Sequence, residues 1–260
     1  ESLKTIFLTS SSRYACGYRD GKLFLFDIYD RNRPVELETP LFRDAAYHQE
    51  SDTFFGIVSD KESSASNSEV KINQYSLDPS GKTIELQNEI LLQSSTNETL
   101  TANSDSLFTT GNDGEIYRYQ HQTKSNALFS DNALRPIYNL ALKDSKLFLA
   151  TSNSLLTLKT EAFAKPAEQL LDTEKVNLSE YLLPWQKGET GLQLNNRDTL
   201  FVWRETGNEG KLMEFDTEKE KPIFGPINTP RGISDVEPSG RNFIILENNG
   251  RIKRIEPAAF

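Results

Sequence analysis

Cys16, His48 and His121 are the only cysteine and the only histidines in the chain, so any thiolate or imidazole chemistry rests on them alone. A transition-metal site needs several convergent thiolates, imidazoles or carboxylates. One thiol and two imidazoles do not fill one, so no metal and no cofactor is expected. A lone cysteine forms no intrachain disulfide and suits a reducing, cytoplasmic setting, with a secreted or periplasmic location left open. Cys16 stands mid-strand beside Gly17 and reads as a buried core thiol rather than a nucleophile. His48, beside a turn, and His121, just past a strand, read as surface residues. Carboxylates are plentiful, 38 Asp and Glu against 29 Lys and Arg. Acid–base hydrolysis needs two that are set apart from the rest, and no pair is singled out. No glycine-rich phosphate loop runs from a strand into a helix, and no enzymatic activity is expected.

A second pattern concerns recognition. Lys4, Arg43, Arg135, Lys187 and Arg231 each stand near the entry of a segment that reads as a strand. Three of them have the contexts Phe42-Arg43-Asp44, Leu134-Arg135-Pro136 and Pro230-Arg231-Gly232. Trp185, in Leu183-Pro184-Trp185-Gln186-Lys187, falls in the corresponding connection of another repeat. Arginine and tryptophan on loops are the usual anchors of an interface. Trp185 has an equal claim to a packing role, holding the 161–183 segment onto the repeat beside it.

What must position these residues is a repeat. Leu107–Gln120 carries Asp113-Gly114 between flanks rich in β-branched and aromatic residues, the mark of a tight hairpin in which Gly supplies positive φ. Its relatives are registered by Phe26, Tyr75, Tyr119, Leu158, Phe215 and Ile255, spaced 39 to 57 residues apart. Each of the six copies has a middle strand ahead of that anchor: Tyr14–Tyr18, Thr53–Val58, Leu107–Thr110, Lys146–Ala150, Thr199–Trp203 and Asn242–Leu246. Ahead of those, across a second turn, stand Lys4–Leu8, Asp44–Tyr47, Glu98–Ala102, Ile137–Leu142, Gly191–Leu194 and Gly232–Val236. Fourth strands are expected at Val35–Glu38, Thr83–Glu89, Asn126–Phe129 and Pro222–Phe224, and the sixth copy has almost no room for one. Asp60–Ser68 reads as a Ser-rich mobile loop. Glu161–Leu183 reads as an insertion, either a surface loop or a short helix using Ala162, Ala164, Ala167, Leu170 and Leu171.

Four-stranded antiparallel units repeating at this period point to an all-β protein, a β-propeller of about six blades, or seven with part of the ring missing. A blade buries both faces only by stacking on its neighbours, which explains unbroken apolar runs such as Leu147-Phe148-Leu149 and Phe243-Ile244-Ile245-Leu246. Residues 1–260 are expected to form one domain. Because the first residue is Glu1 rather than Met, the chain is expected to be processed or cut from something longer. No signal peptide is recognised, and no run of apolar residues is long enough for a membrane span.

Ser12–Ile28 resembles the second and third strands of a WD40 repeat. Phe26-Asp27 and Phe215-Asp216 stand where that family has Trp-Asp, and Glu237-Pro238-Ser239-Gly240-Arg241 is similar to its Ser-Pro-Asp-Gly-Lys turn. The remaining anchors lack the Asp and no copy has the family's Gly-His pair, so the resemblance is to a divergent, WD40-like propeller. It implies that Asp27 and Asp216 are structural. It also implies that the loops entering each first strand share a face with the Asp-Gly turns. On that arrangement Arg43, Arg135, Trp185 and Arg231 would mark a binding face on a protein whose net charge is −9. The expectation is a non-catalytic protein-interaction scaffold or sensor, with a protein or peptide partner that is acidic or phosphorylated. Nucleic acid is not expected, since its backbone calls for a basic stripe. Two alternatives stand beside this one. The first is a propeller enzyme or small-ligand binder of hydrolase or quinoprotein type. The second is an open propeller subunit completed by a partner's strand.

Overall fold

The computed structural model describes residues 5–9, 11, 13–27, 29, 34–48, 51–58, 69–80, 82–93, 97–103, 105–111, 114–121, 125–130, 136–163, 178–185, 188–194, 199–204, 209–229, 231–239 and 242–255. Nearly all of them lie in antiparallel strands or the turns that join strands.

The repeats become sheets in chain order. The first is β1 (Thr5–Leu8), β2 (Tyr14–Arg19), β3 (Lys22–Asp27) and β4 (Val35–Glu36). The second is β5 (Phe42–His48), β6 (Thr53–Val58), β7 (Glu69–Asp78) and β8 (Thr83–Gln93). The third is β9 (Asn97–Ala102), β10 (Ser106–Gly111), β11 (Glu115–Gln120) and β12 (Ser125–Ser130). The fourth is β13 (Asn139–Lys143), β14 (Lys146–Ala150), β15 (Ser154–Lys159) and β16 (Leu178–Leu182). The fifth is β17 (Thr190–Leu194), β18 (Thr199–Arg204), β19 (Gly210–Asp216) and β20 (Lys221–Thr229). The sixth is β21 (Ile233–Ser239), β22 (Asn242–Glu247) and β23 (Ile252–Ile255), three-stranded among the described residues. Every sheet is a meander with its strands in sequence order.

Turn chemistry sets the registers. Asp20 (φ 51°) and Gly21 (φ 80°) make the two-residue link that pairs Arg19 with Lys22. Positive φ at both positions matches the twist of the flanking strands. The middle strands are apolar on both faces because both faces are covered. β14, β15 and β18 are buried almost end to end.

The chain's contacts gather into two compact units. One contains the first three sheets from Ile6 onward, the other the last three. In the former, Cys16, Leu23 and Leu25 pack on Phe42, Phe54 and Tyr75 of the second sheet. Phe55, Ile57 and Ile72 then pack on Leu100, Leu107, Tyr117 and Tyr119 of the third. In the latter unit, Phe148 and Leu155 meet Leu200, Val202 and Phe215, and Phe201 and Trp203 meet Val236, Phe243 and Ile245. Each such side chain contributes about 1.5–3 kcal/mol on burial, so the cores between sheets, rather than single sheets, hold the fold. Within the units the first strands lie side by side, β5 with β9, β13 with β17 and β17 with β21.

The expected strands all appear, with ends shifted by a few residues. The 161–183 insertion differs: it opens with a 3-10 turn at Thr160–Phe163 and returns as β16, the fourth strand of its sheet. β16 is exposed along almost its whole length, so it has no buried face to impose alternation on its sequence. The helix positions Ala164, Ala167, Leu170 and Leu171 lie outside the described residues, as does the 60–68 loop.

Candidate functional site

Arg43 is the second residue of β5 and exposed. The strand begins one residue ahead of it because Phe42 must enter the core. The Phe42 N–H donates to the Gly21 carbonyl at 2.8 Å. Its ring lies over Gly56, where a Cβ would come within 2.4 Å of it.

Arg231 is fixed more fully. It stands two residues before β21 with half its side chain exposed, and its Nη1 lies 3.8 Å from Glu247 Oε2. That distance makes an ion pair but not a hydrogen bond. Glu247 is buried, and its other oxygen takes the Lys253 ammonium. The Arg231 carbonyl accepts from Thr229 Oγ1 at 2.7 Å, and the Gly232 carbonyl from the Asn248 N–H at 3.0 Å. The guanidinium is thus presented from a braced turn, with its residual positive charge shared around one buried carboxylate.

Arg135 lies outside the described residues. Trp185 takes the packing role of its two: it is 3% exposed, belongs to the core between the fourth and fifth sheets, and points its Nε1 at Thr190 Oγ1, 3.4 Å away. It offers no surface anchor. Arg43 and Arg231 belong to different compact units, and each stands near the start of a first strand, Arg43 just inside β5 and Arg231 two residues ahead of β21.

Several residues of chemical interest are engaged in the core or in turns. Cys16 is fully buried, and burial, helped by the charge of Asp52, pushes its thiol up to about 12. A thiol so poised is inert at neutral pH. Tyr47 donates to Asp52, and burial together with that bond pushes its phenol well up. Asp27 accepts from Arg13 Nη2 at 2.8 Å and from the Tyr29 N–H at 3.0 Å. Asp216 closes its own turn, accepting from the Lys219 and Glu218 N–H groups at 2.8 and 3.0 Å. Those bonds, with the Lys219 ammonium, hold its carboxyl below the usual range. Among the described residues, no three His, Cys, Asp or Glu side chains gather in a way that could hold a metal.

Three features escape sequence reasoning. Asp235 and Glu237 are buried carboxylates two apart on β21, and Glu237 Oε2 accepts from Gln193 Nε2 of β17 at 3.0 Å. Their alternation in Ile233-Ser234-Asp235-Val236-Glu237 is a strand signal, but nothing local marks the burial. His121, expected at the surface, is half-buried: its ring stacks on Phe55 and meets Tyr119 edge-on. That contact joins β6 to the end of β11 across two sheets, out of reach of any local pattern. A shallow cavity of about 630 Å³ lies along the outer edge of the first sheet, lined by Lys22, Glu36, Leu37, Glu38, Thr39 and Pro40.

No protein-family model and no curated protein matches the sequence. Solved structures do match. The structure of U3-55K superposes with a TM-score of 0.61 at 10% identity, over 99% of this chain and 78% of that one. The crystal structure of the RRP9 WD40 repeats gives 0.60 at 11% identity, over 99% and 77%. The fold is that of a WD40-like β-propeller. Of the two dipeptides that resemble Trp-Asp, Phe26-Asp27 has its Asp tied to Arg13, just ahead of β2, and Phe215-Asp216 has its Asp tied to its own turn. Among the described residues no helix is long and apolar enough to cross a membrane.

Proposed function

We propose that the chain is a non-catalytic protein-interaction scaffold that binds its partner at the entries of first strands, with Arg43 in one compact unit and Arg231 in the other each offering a cationic contact of its own. The observation that carries this reading is an exposed arginine near the start of a first strand in two repeats, Arg43 just inside β5 and Arg231 just ahead of β21. On a protein of net charge −9, such groups are local positive points. An acidic or phosphorylated peptide is the chemistry they fit, through charge-assisted hydrogen bonds. Arg135, ahead of β13, is assigned the same role from its position in the sequence. The fold likeness to WD40 proteins supports a scaffold in general, and the partner chemistry rests on the arginines.

The test is retention on immobilised poly-glutamate and phosphoserine peptides. Wild type is expected to bind, and the triple variant Arg43→Glu, Arg135→Glu, Arg231→Glu to pass through. Equal retention of the two removes the arginine site.

A further inference from the structure

His121 closes one end of the core between the second and third sheets. Its N–H donates to the Asp105 carbonyl at 2.9 Å. Its ring lies nearly flat on Phe55, centroids 5.6 Å apart at 19°, and edge-on to Tyr119 at 5.8 Å and 70°. Both ring nitrogens are shut off from solvent, and neither makes a well-formed hydrogen bond; the Asn103 carbonyl reaches the ring only as a weak contact. A neutral imidazole always carries one N–H, and burying such a donor without a well-formed hydrogen bond is unfavourable. A phenylalanine would fill the same space without that cost.

The groups facing the ring can be named element by element. β6 presents Phe55 and β11 presents Tyr119. The turn before β10 brings the Asn103 carbonyl and the Asp105 carboxylate, and β5 brings His48, whose Nδ1 is 2.7 Å from Ser51 Oγ. Burial is the largest influence and holds the His121 imidazole below its ordinary range. The Asn103 carbonyl and Asp105 pull it back up, and His48 pushes it down.

We propose that His121 makes this joint acid-labile: on taking a proton its ring leaves Phe55, and this end of the core between the second and third sheets opens. The direction follows from linkage. The closed joint prefers the neutral ring, so the open form binds more protons. The closed form is therefore undisturbed above about pH 6.5, the ordinary imidazole value. It loses ground as pH falls from there through the lower value of the closed state. Each unit between the two values multiplies the opening equilibrium about tenfold.

Hydrogen–deuterium exchange of the segments 42–58 and 115–121 at pH 7.5 and 5.0, corrected for intrinsic rates, tests this. Wild type is expected to exchange several-fold faster at pH 5.0, and His121→Phe to show no such rise. No rise in wild type, or an equal rise in the variant, overturns the proposal. Should the variant fail to fold, the ring titration of His121 by NMR in wild type decides. A midpoint below 6.5 supports the acid-labile joint, and one at or above it refutes it.

Discussion

Gly191→Ala tests the packing logic at its tightest point. Gly191 of β17 pairs directly with Trp203 of β18, and the indole folds back over the glycine. A Cβ at 191 would stand 2.1 Å from Trp203 Cε2, 2.2 Å from Cζ2 and 2.5 Å from Nε1. All three are far inside van der Waals contact, so the ring must move. It has nowhere to go: Trp203 is 1% exposed and set among Phe201, Leu212, Ile233, Val236 and Phe243. Overpacking of this kind costs about 1–3 kcal/mol, and the gain from a stiffer unfolded chain, roughly 0.4–1 kcal/mol, offsets only part of it. A net loss of about 1–2 kcal/mol should lower Tm by roughly 2–8 °C in a chain of this size. The assay is urea unfolding followed by far-UV circular dichroism in wild type, Gly191→Ala, Trp203→Phe and the double variant. The smaller ring should relieve the alanine, giving a favourable coupling of about 1 kcal/mol in the cycle. An unchanged midpoint for Gly191→Ala, or strict additivity in the cycle, would refute the argument.

Further outcomes can be checked directly. Native Cys16 should resist Ellman's reagent at pH 8 and react in full in urea, since burial both hides the thiol and keeps it protonated. Trp185→Ala should cost about 3–5 kcal/mol in denaturant unfolding, the range for emptying a large core position, while leaving peptide retention by the folded protein intact. Glu220 ties the fourth sheet to the fifth, taking Lys146 Nζ at 2.9 Å and Ser179 Oγ at 2.5 Å. Burial alone would raise its carboxyl, but the bonds from Ser179 and Lys146 and the nearby charges outweigh that and hold it low. A carboxyl lowered on folding stabilises above its unfolded value and loses that contribution as pH falls through the folded one. Glu220→Gln should therefore be less stable than wild type at pH 7, and thermal melts should show the gap closing below about pH 4.5.

How much of this was legible in the chain depends on what each residue touches. Leu147-Phe148-Leu149 and Phe243–Leu246 announce middle strands because both their faces are covered, and Asp20-Gly21 announces a turn because only certain residues take its φ values. β16 leaves no such mark, since an exposed edge strand has no face that demands apolar residues. Arg43 falls inside β5 rather than ahead of it because Phe42 starts the strand early, drawn by a contact with Gly56. Trp185 divides evenly between loop anchor and core on sequence grounds. Much of the core around it comes from residues 15 and more positions away, such as Leu200 and Phe215. The same distance hides His121, whose partner Phe55 lies in another sheet. Local chemistry reads strands and turns, whereas the cores between sheets need the fold.

The central claim, that exposed strand-entry arginines carry recognition, is tested most directly by fluorescence anisotropy. A labelled phosphoserine peptide would be titrated with wild type, Arg43→Glu and Arg231→Glu at low and moderate salt. A charge-assisted contact is worth about 1.5–3 kcal/mol. Each variant should thus bind about tenfold or more weakly than wild type, and wild-type affinity should fall as salt rises. Wild-type affinity retained in both variants, or binding indifferent to salt, would contradict the account.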